Sequence, residues 1–151
     1  MPDRRFGYLH LDLVGPLPES HGQIYIFTIA DWFSLWVEAI PLVDITAESC
    51  VRALLHGWIF RYGVPNDIVA DRGAQFTSTL WRQLHDVFGI KCSNTTAYHP
   101  QANGMIERFH RQLKASLMAV AGNGNWMSSL PLVLLGLRTS CLLYTSPSPR
   151  D

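Results

Sequence analysis

The sequence lacks the features of a membrane-spanning or secreted protein. None of its apolar runs is long enough to cross a bilayer, and no charged segment followed by an apolar one opens the chain. The three cysteines have neither paired nor metal-ligand spacing, and the six histidines are scattered without a zinc-binding arrangement. These absences predict an intracellular protein with reduced thiols and without a membrane partner.

An excess of charge of one sign is missing as well. The chain has 12 basic and 12 acidic residues, so its formal net charge is zero. Strong binding to DNA by this chain alone is therefore not expected, because affinity for the backbone comes from Lys and Arg that neutralise phosphates. A local basic face, helped by further domains, would still allow DNA to be a substrate.

The composition changes abruptly at Cys141. Residues 141–151 read Cys-Leu-Leu-Tyr-Thr-Ser-Pro-Ser-Pro-Arg-Asp and resemble an in-frame translation of adapter DNA from transposase-based sequencing libraries. A genuine Pro/Ser linker is the alternative that such a composition allows. Since 48% of the residues are hydrophobic, we predict one well-cored domain over residues 1–140 and a non-native tail over residues 141–151.

Hydrophobic periodicity and turn residues predict an α/β domain without repeats. The first three strands are short and joined by tight turns, which indicates an antiparallel meander. The order βββαβαβαα then gives a five-stranded mixed sheet with helices on both faces. Strands are predicted at residues 6–14, 24–29, 35–40, 67–70 and 90–93, and helices at 46–62, 78–88, 104–120 and 126–138, with a polar loop at 94–103.

Asp12 interrupts the apolar run of the first predicted strand. An ionised carboxylate inside a buried strand is costly unless it is paired or bound to a metal ion, so a role in stability alone does not explain it. The alternative is that Asp12 points outward from an edge strand.

Asp71 directly follows the fourth predicted strand and begins the sequence Asp-Arg-Gly. Such residues form ordinary turns, which is one interpretation. The other is functional, because ligands bind at the carboxyl ends of strands in open α/β sheets. If this strand lies beside the first, the carboxylates of Asp12 and Asp71 can converge on one metal ion.

Glu107 belongs to the helix predicted over residues 104–120, whose core stripe is Ile106, Phe109, Leu113, Leu117 and Val120. On a neighbouring face, Arg111 and Lys114 follow Glu107 at i+4 and i+7. One interpretation is a solvated face with a Glu–Arg pair. The other is a metal-binding acid followed by two cations that contact DNA phosphates.

Two strand acids and one helix acid together suit a site for two-metal phosphoryl transfer. Carboxylate oxygens hold a pair of Mg²⁺ or Mn²⁺ ions roughly 4 Å apart, where one ion activates the nucleophile and the other stabilises the leaving oxygen. Because three clustered carboxylates repel one another, bound cations are expected to stabilise the fold. The acids therefore predict an enzyme that acts on nucleic acid.

Three motifs surround the candidate acids. They are His-Leu-Asp-Leu-Val-Gly-Pro-Leu at residues 10–17, Asp-Arg-Gly-Ala-Gln-Phe-Thr-Ser at 71–78 and His-Pro-Gln-Ala-Asn-Gly-Met-Ile-Glu-Arg at 99–108. Between Asp71 and Glu107 lie 35 residues (72 to 106). The motifs and this spacing resemble the catalytic core of a retroviral-type integrase, specifically that of a gypsy-like LTR retrotransposon. The resemblance covers about residues 2–140 and implies an RNase H-like fold.

The resemblance also implies roles for individual residues. Three of them would form the acidic triad that holds two Mg²⁺ or Mn²⁺ ions, and four would contact DNA, two of these from a mobile active-site loop. The triad is Asp12, Asp71 and Glu107, the loop residues are Tyr98 and Asn103, and the basic residues are Arg111 and Lys114.

The implied chemistry is trimming of the 3′ end of retroelement DNA by water, followed by attack of the new 3′-hydroxyl on target DNA. The family acts as multimers on chromosomal DNA, so homo-oligomerisation and a nuclear location are expected. The family's zinc-binding and C-terminal DNA-binding domains are missing, which indicates a fragment of a longer polyprotein.

Two alternatives to an integrase remain at the level of sequence. A ribonuclease H-like nuclease or a transposase would share the fold and the metal ions, although the acid spacing and the 99–104 motif favour an integrase. An inactive or domesticated core would serve as a scaffold or a DNA-binding module.

Overall fold

The computed structural model describes residues 7–70, 78–93, 100–121 and 125–145. Strands and helices follow one another in the predicted order. The strands are β1 Tyr8–Val14, β2 Tyr25–Asp31, β3 Val37–Leu42, β4 Asp67–Ala70 and β5 Lys91–Ser93, and the helices are α1 Ala47–Leu54, α2 Phe60–Tyr62, α3 Ser78–Phe88, α4 Pro100–Ala121 and α5 Trp126–Thr145.

The five strands form one mixed sheet in the order β3-β2-β1-β4-β5, with β1 at its centre. Strands β1, β2 and β3 pair antiparallel, as predicted for a meander. Strand β4 lies parallel to β1 on the other side, and β5 lies parallel to β4. The predicted five-stranded mixed sheet is thereby confirmed, and β1 and β4 are neighbours in it.

Each face of the sheet packs against a different group of helices. Leu9 and Leu11 of β1 belong to a core shared with α1 and α3. Val14 belongs to the opposite core, in which α4 and α5 contribute Phe109, Leu113 and Trp126. Because side chains alternate along a strand, His10 and Asp12 lie on the face that α4 covers.

The helix predicted over residues 46–62 has the expected extent. Thr46 caps it, since Thr46 Oγ1 accepts a hydrogen bond of 3.2 Å from the backbone N–H of Ser49. A π-helical turn, Leu55–Ile59, separates α1 from α2 and was not predicted. Gly57 lies in this turn, where a Cβ would come within 2.8 Å of Ile40 Cδ1, so the absence of a side chain allows close packing on β3.

Two helix boundaries differ from the prediction. Helix α4 begins at Pro100, inside the loop predicted over residues 94–103, because proline suits the first turn of a helix, where its missing N–H is not needed. Helix α5 continues to Thr145, past the end predicted at residue 138, since no proline follows until Pro147. The continuation crosses Cys141 and has no bearing on the origin of residues 141–151, which stays a prediction.

Arg138 fastens α5 to the edge strand β3. Its Nε and Nη2 donate to the carbonyl oxygen of Val37 at 3.0 and 2.6 Å, and Nη2 lies 3.1 Å from Glu38 Oε1. The guanidinium also stacks on Trp36, with Cζ 4.1 Å from the ring centroid. Glu38 accepts further hydrogen bonds from Trp36 and Tyr62, so one carboxylate joins β3 to both helical layers.

Among the described cysteine side chains, Cys50 and Cys92 are free thiols. Burial raises the pKa of each thiol to about 11, which keeps both protonated at neutral pH.

Gly15 allows the chain to turn sharply at the end of β1, three residues after Asp12. Its φ of +133° is a backbone conformation that residues with a Cβ rarely adopt. A Cβ at this position would lie 2.7 Å from the carbonyl oxygen of Ile24 and 2.8 Å from Tyr25 Cδ1. Both backbone conformation and close packing therefore require glycine.

Gly15→Ala is expected to lower the free energy of unfolding by roughly 3 kcal/mol, because strain and a backbone clash add. Gly22→Ala is the matched control, since Gly22 also has a positive φ but no atom within 4 Å of an added Cβ; it should cost only about 1 kcal/mol. Urea denaturation of both variants measures the difference. Equal losses would contradict the role given to the close packing.

Candidate active site

Asp12 lies in the middle of the sheet, on the central strand. The residue is 5% exposed, and Thr28 of β2 is its cross-strand partner. Strand β1 has neighbours on both sides, so the alternative of an outward-facing acid on an edge strand is wrong. A carboxylate in this position must be compensated by charge or hydrogen bonds.

The two oxygens of the Asp12 carboxylate have different surroundings. Oδ1 accepts a hydrogen bond of 2.8 Å from the backbone N–H of Leu13. Oδ2 is buried, and no donor in the described part of the chain makes a hydrogen bond of good geometry to it. Its charge is compensated by Lys114 of α4, whose Nζ lies 3.2 Å away. Asp12 is thus held by its own strand at one oxygen and by a helix cation at the other.

A buried polar cluster joins α4 to the strand pair that carries Asp12. Thr28 Oγ1 donates to the carbonyl oxygen of Asp12 at 3.3 Å and lies 3.3 Å from His110 Nε2. Because the hydroxyl has one proton, donation to the carbonyl leaves Thr28 to accept from the ring N–H of His110. The rings of His10 and His110 are tilted against each other with centroids 5.0 Å apart.

This cluster is not predicted from the sequence, because the six histidines are scattered along the chain. His10 and His110 are 1% and 4% exposed. Two signals were available in the sequence. His10 and Asp12 are two positions apart on an otherwise apolar strand, so they share one face of it. His110 directly follows the core residue Phe109, so part of the His110 ring lies toward the sheet.

Glu107 and Arg111 lie on α4 and are exposed. Glu107 is one turn before His110 and two turns before Lys114, about 10 Å along the helix axis from the latter. Among the described residues, the Glu107–Arg111 ion pair of the solvated-face interpretation is not formed. Helix α4 therefore presents one acid and two cations along the side that borders Asp12.

The side chains of the remaining predicted site residues fall outside the part of the chain that the structure describes. Asp71 and Tyr98 lie outside the described residues, and so does the side chain of Asn103. Ala70, directly before Asp71 in the sequence, pairs with Leu11, directly before Asp12. Within the described ranges no three His, Cys, Asp or Glu side chains group closely enough to hold a metal ion.

Comparison with known proteins places this arrangement in a family. Residues 2–100 match the model of the integrase core domain. The chain belongs to the integrase core domain family. The predicted resemblance to a retroviral-type integrase core is confirmed, and the general class of this family is DNA integration by polynucleotidyl transfer.

Retroviral polyproteins are among the relatives of this integrase core. The Gag-Pol polyproteins of woolly monkey sarcoma virus and koala retrovirus are 32% and 33% identical over 97% and 91% of the chain. Those matches span 9% and 8% of the relatives, so the chain corresponds to a small part of each.

A solved structure supports the fold. The catalytic core domain of BIV integrase superposes with a TM-score of 0.64 at 23% identity, covering 95% of this chain and 86% of that one. The predicted RNase H-like architecture is confirmed by this likeness. No helix among the described residues is long and apolar enough to span a membrane.

A double-mutant cycle tests whether Thr28 and His110 act together in holding α4. Thr28→Val, His110→Leu and the double variant are compared by urea denaturation. Each single change should cost about 1–2 kcal/mol, since each disturbs a buried hydrogen bond. A coupling energy of about 1 kcal/mol is expected. Additivity within about 0.3 kcal/mol would contradict a direct interaction between the two side chains.

Proposed function

We propose that this chain is the catalytic core of a metal-dependent DNA integrase, with Asp12, Asp71 and Glu107 as the acids that hold two Mg²⁺ or Mn²⁺ ions. The observation that carries the proposal is Asp12 itself. A carboxylate buried at the centre of the sheet, with one oxygen that receives no hydrogen bond from a described donor, has the chemistry of a ligand for a hard cation.

The two other acids are supported by their places in the chain. Strand β4 runs parallel to β1, and its last residue, Ala70, pairs with Leu11. Asp71 follows Ala70 in the sequence, just as Asp12 follows Leu11. Glu107 is exposed on α4, the helix whose His110 and Lys114 contact the Asp12–Thr28 strand pair. The donor set is made of carboxylate oxygens, which suit Mg²⁺ and Mn²⁺ rather than softer metals.

When bound, such a metal pair supplies an activated attacking oxygen and a stabilised leaving oxygen. The protein's own contribution is orientation. The N–H of Leu13 fixes one oxygen of Asp12, and the Thr28–His110 contact fixes the helix that carries Glu107. Arg111 and Lys114 would contact DNA phosphates from α4, and Tyr98 and Asn103 would contact the DNA end.

The proposed reaction consists of two displacements at phosphorus. In the first, water attacks a phosphodiester near the 3′ end of the retroelement DNA and releases the terminal nucleotides. In the second, the new 3′-hydroxyl attacks a phosphodiester of the target DNA, and the 3′ oxygen of the target leaves. Catalysis depends on positioning and charge stabilisation, without a covalent enzyme intermediate.

The partners proposed for the chain follow from the same chemistry. Two DNA molecules must be held at once, and a neutral chain binds phosphates weakly on its own. Assembly into homo-oligomers and the participation of further domains would supply the missing affinity. A nuclear location is proposed because the target is chromosomal DNA.

Asp12→Asn and Glu107→Gln should each lower activity by at least about 100-fold, because each removes a charged oxygen ligand. The reaction to measure is reversal of strand joining on branched DNA with Mn²⁺, which demands least from further domains. Glu48→Gln is the matched control, since Glu48 is an exposed acid on α1 that pairs with Arg52.

Thermal melts of all three variants establish that they fold. Substantial activity in Asp12→Asn or Glu107→Gln would contradict the proposal. A folded wild-type chain that is inactive at every metal concentration would instead favour an inactive core that serves as a scaffold.

A further inference from the structure

Lys114 is paired with a buried carboxylate, although part of its side chain is exposed. Its Nζ is 3.2 Å from Asp12 Oδ2, while its side chain is 46% exposed and that of Asp12 is 7% exposed. Oδ2 has no hydrogen bond of good geometry from the described residues. The ammonium group is therefore the charge that compensates the buried oxygen in this structure.

The ammonium group and a metal ion would compete for this oxygen. Oδ2 would hold a Mg²⁺ or Mn²⁺ ion directly, and that ion would bring two positive charges to the oxygen. An ammonium group held 3.2 Å from the same oxygen would then be strongly repelled at close range. Occupation of Oδ2 by one cation disfavours its occupation by the other.

The side chain of Lys114 can move away from Asp12 into solvent. It carries a compact charge on a flexible four-carbon stem, and nearly half of its side chain is already in solvent. The exposed Arg111 lies one turn before it on α4. A released ammonium group would lie on the same side of α4 as this guanidinium, where a phosphate backbone could approach both cations.

We propose that Lys114 is a positioning residue that holds Asp12 in the metal-free chain and moves to a DNA phosphate when metal binds. The proposal rests on the metal site under the proposed function. Exchange of partners by one side chain couples two binding events. By thermodynamic linkage, metal raises the affinity for DNA, and DNA raises the affinity for metal by the same factor.

The first test is calorimetric titration of Mn²⁺ into the full chain. Lys114→Met should lower the Kd for Mn²⁺ about two- to fivefold, the effect of removing one partly exposed ion pair. Lys114→Arg keeps a cation and should bind Mn²⁺ as the wild type does. Arg108→Met is the matched control, since Arg108 is an exposed cation on α4 without a salt bridge to a described carboxylate.

The second test measures coupling with a labelled short DNA duplex by fluorescence anisotropy. Mn²⁺ should raise the affinity of the wild type and of Arg108→Met for DNA by a larger factor than that of Lys114→Met. Both tests read binding rather than turnover.

Three results would overturn the proposal. The first is an affinity of Lys114→Met for Mn²⁺ that is unchanged or weaker. The second is an equal gain in Mn²⁺ affinity in Arg108→Met, which would indicate general charge repulsion. The third is an effect of Mn²⁺ on DNA affinity that is as large in Lys114→Met as in the wild type. Asp12→Asn separates the two levels of inference. If it abolishes Mn²⁺ binding while Lys114→Met changes nothing, the metal site stands and the exchange fails. If the wild type does not bind Mn²⁺ either, the proposed metal site fails as well.

Discussion

A carboxylate buried at the centre of a sheet is the constraint on which the rest of this structure depends. Asp12 has strands on both sides and α4 above it. A charge in such a place is tolerated only when compensation is close and well oriented. The compensation comes from a backbone N–H, a helix cation and a hydroxyl that fixes the adjacent carbonyl. These groups are polar, whereas the core on the same face of the sheet is apolar.

Helix α4 must be held in place for this compensation to work. Helix α5, in the same layer, supplies the support. Leu113 and Leu117 of α4 are fully buried in a core with Trp126 of α5. Helix α5 is in turn fixed to the edge strand through Arg138, Trp36 and Glu38. The site at the middle of the sheet therefore depends on contacts at its edge.

The elements of the fold could be predicted because the local signals agree with the tertiary structure. Alternation and β-branched residues mark the strands, and Leu113 and Leu117 mark the buried side of α4. The start of α4 is not predicted correctly, because the polar residues before Gly104 are typical of a loop, whereas the helix begins at Pro100. The π-helical turn around Gly57 has no sequence signal of its own, since it depends on packing against Ile40.

The candidate site could be predicted only in part, for a physical reason. Asp12 stands out because a charge in an apolar run is locally expensive, which a single sequence reveals. The pairings of Lys114 with Asp12 and of His110 with Thr28 join residues 102 and 82 positions apart (114 minus 12 and 110 minus 28). Nothing local to Lys114 distinguishes a cation bound to a carboxylate from one that faces solvent or DNA.

The balance of charge in the chain is consistent with this pairing. A neutral domain with a lysine already bound to its own acid presents little free positive charge to DNA at that point of its surface. In the proposed mechanism the divalent ions supply the missing charge, and they do so at the carboxylates, where the reacting phosphate must lie. Affinity for phosphate then becomes concentrated at the reaction centre rather than spread over the surface. A core of this kind would depend on metal both for chemistry and for holding its substrate.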